Sequence, residues 1–197
     1  MQTVKPSFKT RPIGRNGDRL PRYFTADEIR AILAHCSSAR KVDIYFLVNL
    51  LWRTGIRVSE AIALVAADID PATHQIQIRS LRRRDGHVRV IPLHTDFSTE
   101  INDWIGQKQL ADSDRLFPVT RKTAYNWVAW ACRQAGFTDG RAHPQILRHS
   151  FAVNLLAQGM PVTIVQEFLG HTDLAETLIY TRLVHIDPRK LFESLTF

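Results

Sequence analysis

Apolar residues recur at helical spacing along most of the chain. A repeat of this kind gives a helix one apolar face for packing against a core. The pattern predicts eight helices, over residues 42–53, 58–64, 97–110, 123–135 and 162–169, with three more that begin after Thr25, near Leu147 and after Asp173. We therefore expect helices to supply most of the core.

Several of these helices carry recognisable end signals. Thr25 and Glu28 have the spacing of a capping box, in which each side chain satisfies a backbone N–H of the first turn. Gly55 and Gly170 follow apolar helical stretches and suit the positive φ of a helix C-terminus. A start near Leu147 puts Arg148 in the first turn of its helix, where the helix dipole favours anions.

One region breaks the helical pattern and alternates instead. Residues 75–81 place Ile76 and Ile78 on one side, and the β-prone residues 88–93 follow an Asp-Gly turn at 85–86. Such a turn between two alternating runs predicts a β-hairpin. The fold class that results is a mostly helical α+β domain with a small antiparallel sheet.

Composition adds a partner class and excludes a membrane span. The 197-residue chain carries a formal net charge of +7, which favours a polyanion such as nucleic acid. It has no apolar run of membrane-spanning length and no signal-peptide pattern at its start. Its two cysteines are far apart in sequence and favour a reducing compartment, so we expect a cytoplasmic, DNA-associated protein.

The basic residues suggest both an arm and a DNA-facing surface. Residues 1–22 are rich in Lys, Arg, Pro and Gly and predict a basic, irregular arm before a domain over 23–197, with a tail segment at about 183–197. Arginines cluster at the hairpin tip, and further basic or aromatic residues lie near residues 121–143. The candidate DNA contacts are Arg82, Arg83, His87, Arg121, Lys122, Tyr125, Arg133, Arg141 and His143.

Four residues at helix joints have the chemistry for metal-free attack on a phosphodiester. Arg57 and Arg148 can each hold phosphate oxygens, His171 can donate a hydrogen bond, and Tyr180 carries a nucleophilic hydroxyl. Taken singly, each is more often a surface, capping or packing residue. Their common order and spacing make a shared site the stronger interpretation.

These residues sit in boxes that resemble those of the tyrosine recombinases, the phage-integrase-type enzymes of DNA strand exchange. Residues 54–60 (TGIRVSE) are similar to the first arginine box, and residues 147–152 (LRHSFA) to the second. Leu169-Gly170-His171 and Tyr180 resemble the histidine and the nucleophile that follow. The similarity extends over about residues 22–185.

The resemblance implies a mechanism and partners. Tyr180 would attack the phosphorus and form a covalent 3′-phosphotyrosyl link, while Arg57, Arg148 and His171 hold the phosphate. The released 5′-hydroxyl of the other duplex would reverse the step, so neither ATP nor a metal or other cofactor is required. The implied partners are double-stranded DNA, further copies of the chain in a dimer to tetramer, and accessory DNA-bending proteins. Integration, excision, inversion and resolution all stay open.

The chain departs from the family pattern at three points. Gln145 stands where the second box usually has a histidine, and a glutamine cannot exchange a proton near neutrality. The hairpin lacks the family's lysine, and Arg84 is its best positional match, with Arg83 next. Only the basic arm precedes Arg22, where typical members carry a helical core-binding domain, so the chain resembles solitary catalytic-domain recombinases or a natural fragment. We expect a slower or conditional enzyme.

Three other functions compete with this interpretation. A recombinase-derived DNA-binding regulator without catalysis is favoured by Gln145 and by the missing lysine. A type IB-like topoisomerase would use the same chemistry to relax DNA of any sequence. A helix-turn-helix regulator accounts for neither Tyr180 nor the hairpin and is the weakest of the three.

Overall fold

The computed structural model describes residues 20–37, 41–81 and 86–184. Within these residues the elements follow the order α1 (Ala26–Ala34), α2 (Val42–Thr54), α3 (Val58–Ala61), β1 (Ile69–Asp70), β2 (Gln75–Arg79), β3 (Val88–Pro92), α4 (Thr95–Gln107), α5 (Arg121–Gln134), α6 (Pro144–Ala157), α7 (Val162–Leu169) and α8 (Ala175–Thr181). The predicted mostly helical fold with a small antiparallel sheet is confirmed. None of the helices in this part of the chain has the length and apolar character needed to cross a membrane.

The end signals of the first two helices form as predicted. The Thr25 N–H donates to Glu28 Oε2 at 2.9 Å, and the Glu28 N–H donates to Thr25 Oγ1 at 3.3 Å. These reciprocal bonds satisfy N–H groups that a helix start otherwise leaves unpaired. At the C-terminal end of the next helix, α2, Gly55 adopts a left-handed backbone conformation with φ 63°. The chain therefore turns sharply there and leads into α3 at Arg57.

The sheet has one strand more than the sequence predicted. β1, β2 and β3 lie in that order and pair antiparallel, with Ile69 opposite Ile76 and Ile76 opposite Ile91. β1 is only two residues long, too short for an alternating pattern to reveal it. The inner face of β3 carries Arg89 as well as Ile91, so an arginine lies on the buried side of the sheet.

Helix α6 begins earlier than its apolar pattern indicated, and this corrects the position of Arg148. Pro144 is the first residue of α6, where a missing N–H costs nothing and the fixed φ suits a helix. Gln145 is therefore in the first turn, and Arg148 lies one turn further in. The prediction that Arg148 occupies the first turn is wrong, so the α6 dipole is not what prepares it for an anion.

Two apolar clusters meet at α6. The larger is built from α1 to α5, the inner face of the sheet and the start of α6, and it includes Leu47, Ile76 and Phe97. The smaller cluster collects side chains from α6, α7 and α8 and includes Tyr180. Because α6 packs against α2 on one side and against α7 and α8 on the other, side chains from the α2–α3 joint and from α8 reach the same region.

The outlying segments are described only in part. Residues 1–19 of the predicted arm, residues 82–85 of the hairpin tip and residues 185–197 of the predicted tail lie outside the described residues. Leu20 and Leu183 both pack in the smaller apolar cluster. The chain on either side of the domain is thus anchored at these two points.

Candidate active site

A single cleft brings together the four residues that the sequence singled out. It has a volume of about 470 Å³ and is lined by residues of the α2–α3 joint, the start of α5, α6 and the α7–α8 joint. Arg57, Arg148, His171 and Tyr180 all line it, as does Gln145. Residues separated by more than a hundred positions in the chain thus face one common space.

Arg148 is fixed by the ends of two other helices. Its Nη1 donates to Gly55 O at 2.8 Å, and its Nη2 donates to Leu169 O at 2.7 Å. These carbonyls belong to the C-terminal ends of α2 and α7, where the helix dipoles place partial negative charge that favours a cation. Burial, assisted by Arg57, lowers the pKa of Arg148 to about 10. The guanidinium therefore stays protonated at neutral pH.

Arg57 is held by a buried carboxylate with two cationic partners. Its backbone N–H donates to Glu60 Oε2 at 2.8 Å, and its Nη1 donates to Glu60 Oε1 at 3.3 Å. Glu60 also pairs with Arg89, at 2.9 Å between Nη2 and Oε2. Burial alone raises the pKa of Glu60, but the hydrogen bonds and charges of Arg89 and Arg57 outweigh it and hold that pKa below its usual value. The group of three keeps one net positive charge.

Arg89 links this ion-pair group to the histidine side of the cleft. Its Nε donates to Phe168 O at 2.8 Å, in the last turn of α7. A Cβ added at Gly170 would lie 3.1 Å from Arg89 Nη1, so the glycine leaves room for the guanidinium. Gly170 has φ 64° and places His171 directly after it. Arg57 and His171 are thus positioned through one shared buried arginine.

His171 is a neutral imidazole with one nitrogen already engaged. Its Nδ1 lies 2.8 Å from Thr177 Oγ1, and its side chain is only 6% exposed. Burial first, and then Arg148 and Arg57, lower the pKa of His171 to about 3. A Thr177 hydroxyl that donates to Nδ1 leaves the proton on Nε2, which is then able to donate into the cleft. Glu176 Oε2 lies 3.8 Å from Nε2.

Tyr180 is buried, and its hydroxyl is bonded to a residue to which the sequence analysis gave no role. The hydroxyl oxygen lies 2.8 Å from His149 Nδ1, and the two ring centroids are 5.6 Å apart. Burial raises the pKa of Tyr180 despite the opposing charges of Arg148 and Arg57. Burial and the Arg148 charge lower the pKa of His149 to about 4. At neutral pH a neutral phenol therefore faces a neutral imidazole.

The candidate DNA contacts fall into different surroundings. Arg121 lines the cleft at the start of α5, and Lys122, Tyr125 and Arg133 are exposed along the same helix. His143 is half-buried before α6, and burial lowers its pKa. His87 is exposed just before β3. Arg82, Arg83 and Arg84 lie outside the described residues.

Arg141 is directed inward. Its guanidinium lies between the rings of Phe24 and Phe137, at 4.7 and 4.9 Å from their centroids. It also pairs with Glu28 and Asp139, each at 2.9 Å. These two carboxylates already neutralise its charge inside the domain. In this placement Arg141 joins α1 to the loop before α6, and its contact with DNA stays a prediction.

Four supporting residues escaped the sequence analysis: His149, Thr177, Glu60 and Arg89. Glu60 and His149 belong to the two arginine boxes, but their partners come from elements distant in sequence. Arg89 carried one usable signal, because it occupies an inward position in the alternating pattern of β3. A buried arginine requires a partner, so a buried carboxylate was to be expected nearby.

Comparison with known proteins identifies the class to which this fold and cleft belong. The model of the phage integrase family matches residues 22–185. The chain belongs to the phage integrase family. The two relatives that follow are tyrosine recombinases. It is 31% identical over 182 residues to tyrosine recombinase XerC of Roseiflexus castenholzii, covering 84% of this chain and 56% of that protein. With tyrosine recombinase XerA of Pyrococcus furiosus the identity is 30%, over 93% of this chain and 68% of that protein.

Solved structures give the same fold. A XerA recombinase crystal structure superposes with a TM-score of 0.72 and 26% identity, over 92% of this chain and 64% of the other. The catalytic domain of bacteriophage HP1 integrase shares the fold at 22% identity with a TM-score of 0.67, over 88% of this chain and 94% of that domain. The chain spans little more than half the length of the XerC relative.

Proposed function

We propose that this chain catalyses site-specific DNA recombination through a 3′-phosphotyrosyl intermediate on Tyr180. The observation that carries the proposal is the convergence of Arg57, Arg148, His171 and Tyr180 on one cleft. It combines two fixed cations, a neutral hydrogen-bond donor and a nucleophilic hydroxyl in a largely buried setting. Such fixed donors stabilise charge that develops on a phosphate without having to reorganise.

Each residue has a definite part in the proposed step. Arg57 and Arg148 bind the two non-bridging oxygens of the scissile phosphate, and His171 donates from Nε2 to one of them. The Tyr180 oxygen forms a bond to phosphorus as the bond to the 5′-oxygen breaks. The energy of the phosphodiester is kept in the new link, so a 5′-hydroxyl from a second duplex can reverse the step and complete strand exchange.

Two further residues have a part in the proposed step. Gln145 lies exposed in the first turn of α6 and lines the cleft. Its amide can donate to a phosphate oxygen but cannot carry a proton near neutral pH. Arg84 is the best positional match in the sequence to the family's hairpin lysine, with Arg83 next. It would stabilise the leaving oxygen by its charge, because an arginine holds its proton too firmly to act as an acid.

The proposed substrate is double-stranded DNA. The net charge of +7 and the exposed cations beside the cleft favour a phosphate backbone. Arg121, Lys122 and Tyr125 lie along one side of α5 at or near the mouth of the cleft. A XerH recombinase of similar fold has been solved in a post-cleavage complex with its palindromic DNA substrate, at 25% identity and a TM-score of 0.74. DNA that enters the cleft of this chain would pass along α5.

Recombination requires more than one copy of the chain. Exchange between two duplexes breaks four strands, and each break uses one tyrosine nucleophile. We therefore propose a dimer on each duplex and a tetramer in the complex that exchanges strands. Leu178 and Ile179 are exposed on α8, 44% and 37% respectively, directly before the nucleophile. An apolar surface at that place is suited to contact between copies.

A trapping experiment tests this proposal. The probe is a pool of duplexes with a randomised central sequence and single nicks distributed through it. Cleavage close to a nick releases a short 5′-hydroxyl strand, so the enzyme stays attached to DNA in denaturing gels. We expect adducts with the wild-type chain and none with Tyr180→Phe. Tyr45→Phe, on α2, is the matched control and should form adducts normally.

The same material separates the competing functions. If the wild-type chain retained DNA on a filter but formed no covalent adduct, the proposal would be contradicted and a DNA-binding regulator favoured. Equal adducts from the wild-type chain and from Tyr180→Phe would exclude Tyr180 as nucleophile. Sequences enriched in the adducts, placed twice on one plasmid, should recombine. Relaxation of any supercoiled plasmid without recombination would favour a topoisomerase.

A further inference from the structure

The hydrogen bond between Tyr180 and His149 points to a catalytic role for the histidine. We infer that His149 is the proton acceptor for the Tyr180 nucleophile, with Nδ1 receiving the phenol proton as the oxygen attacks phosphorus. The inference rests on the proposed function and deepens it. Its basis is the 2.8 Å contact between the Tyr180 hydroxyl and His149 Nδ1, made while both side chains line the cleft.

A proton acceptor is needed at this position. A phenol is protonated at neutral pH, and burial raises the pKa of Tyr180 further. Attack without loss of the proton would leave a positively charged oxygen bonded to phosphorus. Gln145 stands where the family's second box usually has a histidine and cannot accept a proton near neutrality. His149 is the imidazole that touches the reacting hydroxyl.

The surroundings of His149 keep Nδ1 free to accept. Burial, Arg148 and His143 all lower its pKa, so the ring is neutral and one nitrogen has an available lone pair. With the ring proton on Nε2, the Tyr180 hydroxyl donates to Nδ1. The titratable and charged groups that line the cleft around His149 are Arg57, Arg121, Arg148, His171, Glu176 and Tyr180. His143, directly before α6, is close enough to lower the pKa of His149.

Substrate binding increases the basicity of His149 where it is needed. The anionic phosphate offsets the positive charge of Arg148, which in the free protein disfavours a protonated His149. The basicity of the ring therefore rises as the phosphate enters. A proton acceptor switched on by its own substrate leaves the phenol protonated when no DNA is bound.

The step balances as follows for cleavage and for rejoining. The phenol proton passes to Nδ1, the Tyr180 oxygen bonds to phosphorus, and the bond from phosphorus to the 5′-oxygen breaks. That oxygen takes one proton from solvent water. In rejoining, a 5′-hydroxyl loses its proton to solvent, its oxygen bonds to phosphorus, and the departing Tyr180 oxygen recovers the proton from the His149 imidazolium.

His149→Asn is the variant that separates proton transfer from hydrogen bonding. The asparagine Oδ1 occupies the position of Nδ1 and can accept the phenol hydrogen bond, but it cannot take the proton. We expect adduct formation on the enriched duplex to slow about 10²- to 10⁴-fold, the usual contribution of a general base. Filter binding of the same duplex should be unchanged.

The pH profile supplies a readout that a positioning role would not alter. Wild-type cleavage should reach a plateau above the pKa of His149 in the DNA complex. His149→Asn must lose the phenol proton to hydroxide, so its rate should rise about tenfold per pH unit through the same range. A duplex with sulfur in place of the scissile 5′-oxygen has a leaving group that needs no proton and should not restore the variant.

The outcomes divide the two proposals. Absence of any wild-type adduct removes the proposed function itself. Wild-type adducts on Tyr180 together with a wild-type rate for His149→Asn would overturn only the inference. It would also fall if the slowed variant kept the wild-type pH profile, or if the sulfur substrate restored its rate. Should the asparagine variant fail to fold, the pH profile of the wild-type chain carries the test, and a cleavage rate that rises with pH without reaching a plateau would overturn the inference.

Discussion

Substitution of Gly55 by alanine tests how closely α2 and α6 approach beneath the cleft. Gly55 has φ +63°, and a Cβ at this position would lie 2.8 Å from Phe151 Cε1 and 2.9 Å from Cγ, and closer still to Cδ1. Non-bonded carbon atoms do not approach each other this closely. Phe151 is buried in the smaller apolar cluster, so its ring cannot move aside without disturbing α6. Gly159 is the matched control, with φ +87° and nothing within 4 Å of a Cβ.

The magnitude follows from two contributions. A left-handed backbone at a residue with a Cβ costs about 1–2 kcal/mol, and both alanine variants bear this cost. Overpacking against a buried ring adds about 1–3 kcal/mol to Gly55→Ala alone. For a domain of this size, about 2–4 °C of melting temperature corresponds to 1 kcal/mol. Gly55→Ala should therefore melt roughly 2–12 °C below Gly159→Ala.

The assay is thermal unfolding followed by circular dichroism, with urea unfolding to give free energies. The Gly55 variant should also form adducts more slowly even below its melting temperature, because Gly55 O holds Arg148 Nη1 at 2.8 Å. Gly159→Ala should retain normal adduct formation. Equal losses of melting temperature in the two variants would refute the close contact with Phe151 and the reasoning built on it.

Two further substitutions test the supporting residues. Thr177→Val removes the hydroxyl bonded to His171 Nδ1 and should slow adduct formation about tenfold, equivalent to one hydrogen bond of about 1.4 kcal/mol. The control, Thr181→Val on the exposed side of α8, should leave the rate of adduct formation unchanged. Equal rates in the two variants would contradict the role of Thr177. Glu60→Gln breaks the buried pair with Arg89 and should cost about 3–5 kcal/mol of unfolding free energy at neutral pH. Because the pKa of Glu60 is lowered in the folded state, its charge stabilises the fold above its unfolded pKa, and this stabilisation is lost as the pH falls through the folded pKa. In urea unfolding, the free energies of the wild-type chain and Glu60→Gln should therefore converge in acid. A difference in free energy that stays constant with pH would contradict the ion pair.

Local signals in the sequence were enough for most of the fold. Capping residues and glycines act within a few positions, so Thr25, Gly55 and Gly170 marked helix ends that the structure confirms. Pro144 was an available signal for the true start of α6, but the apolar pattern outweighed it. The two-residue strand β1 depends on its pairing with β2, which no local pattern expresses.

The sequence was enough to predict the reactive side chains of the site, but not the groups that hold them in position. Arg57, Arg148, His171 and Tyr180 were recognisable by residue type, order and spacing, and all four line the cleft. Their partners follow from tertiary packing. Arg148 is held by two backbone carbonyls, which carry no signature in side-chain identity.

Charge alone did not indicate which arginines line the cleft. Arg121 and Arg141 both belong to the basic stretch of residues 121–143. Arg121 lines the cleft, whereas Arg141 pairs with Glu28 and Asp139 inside the domain. The difference lies in which carboxylates the fold brings near each guanidinium. Sequence spacing does not contain that information.

The most direct test of the central claim is to locate the residue that becomes linked to DNA. Trypsin cleaves after Arg148 and Arg182, and the peptide between these sites contains a single tyrosine, Tyr180. Mass spectrometry of the digested adduct should find the nucleotide remnant on that tyrosine, joined through a 3′-phosphate. A remnant on any other residue, or a 5′-phosphate link at Tyr180, would contradict the account.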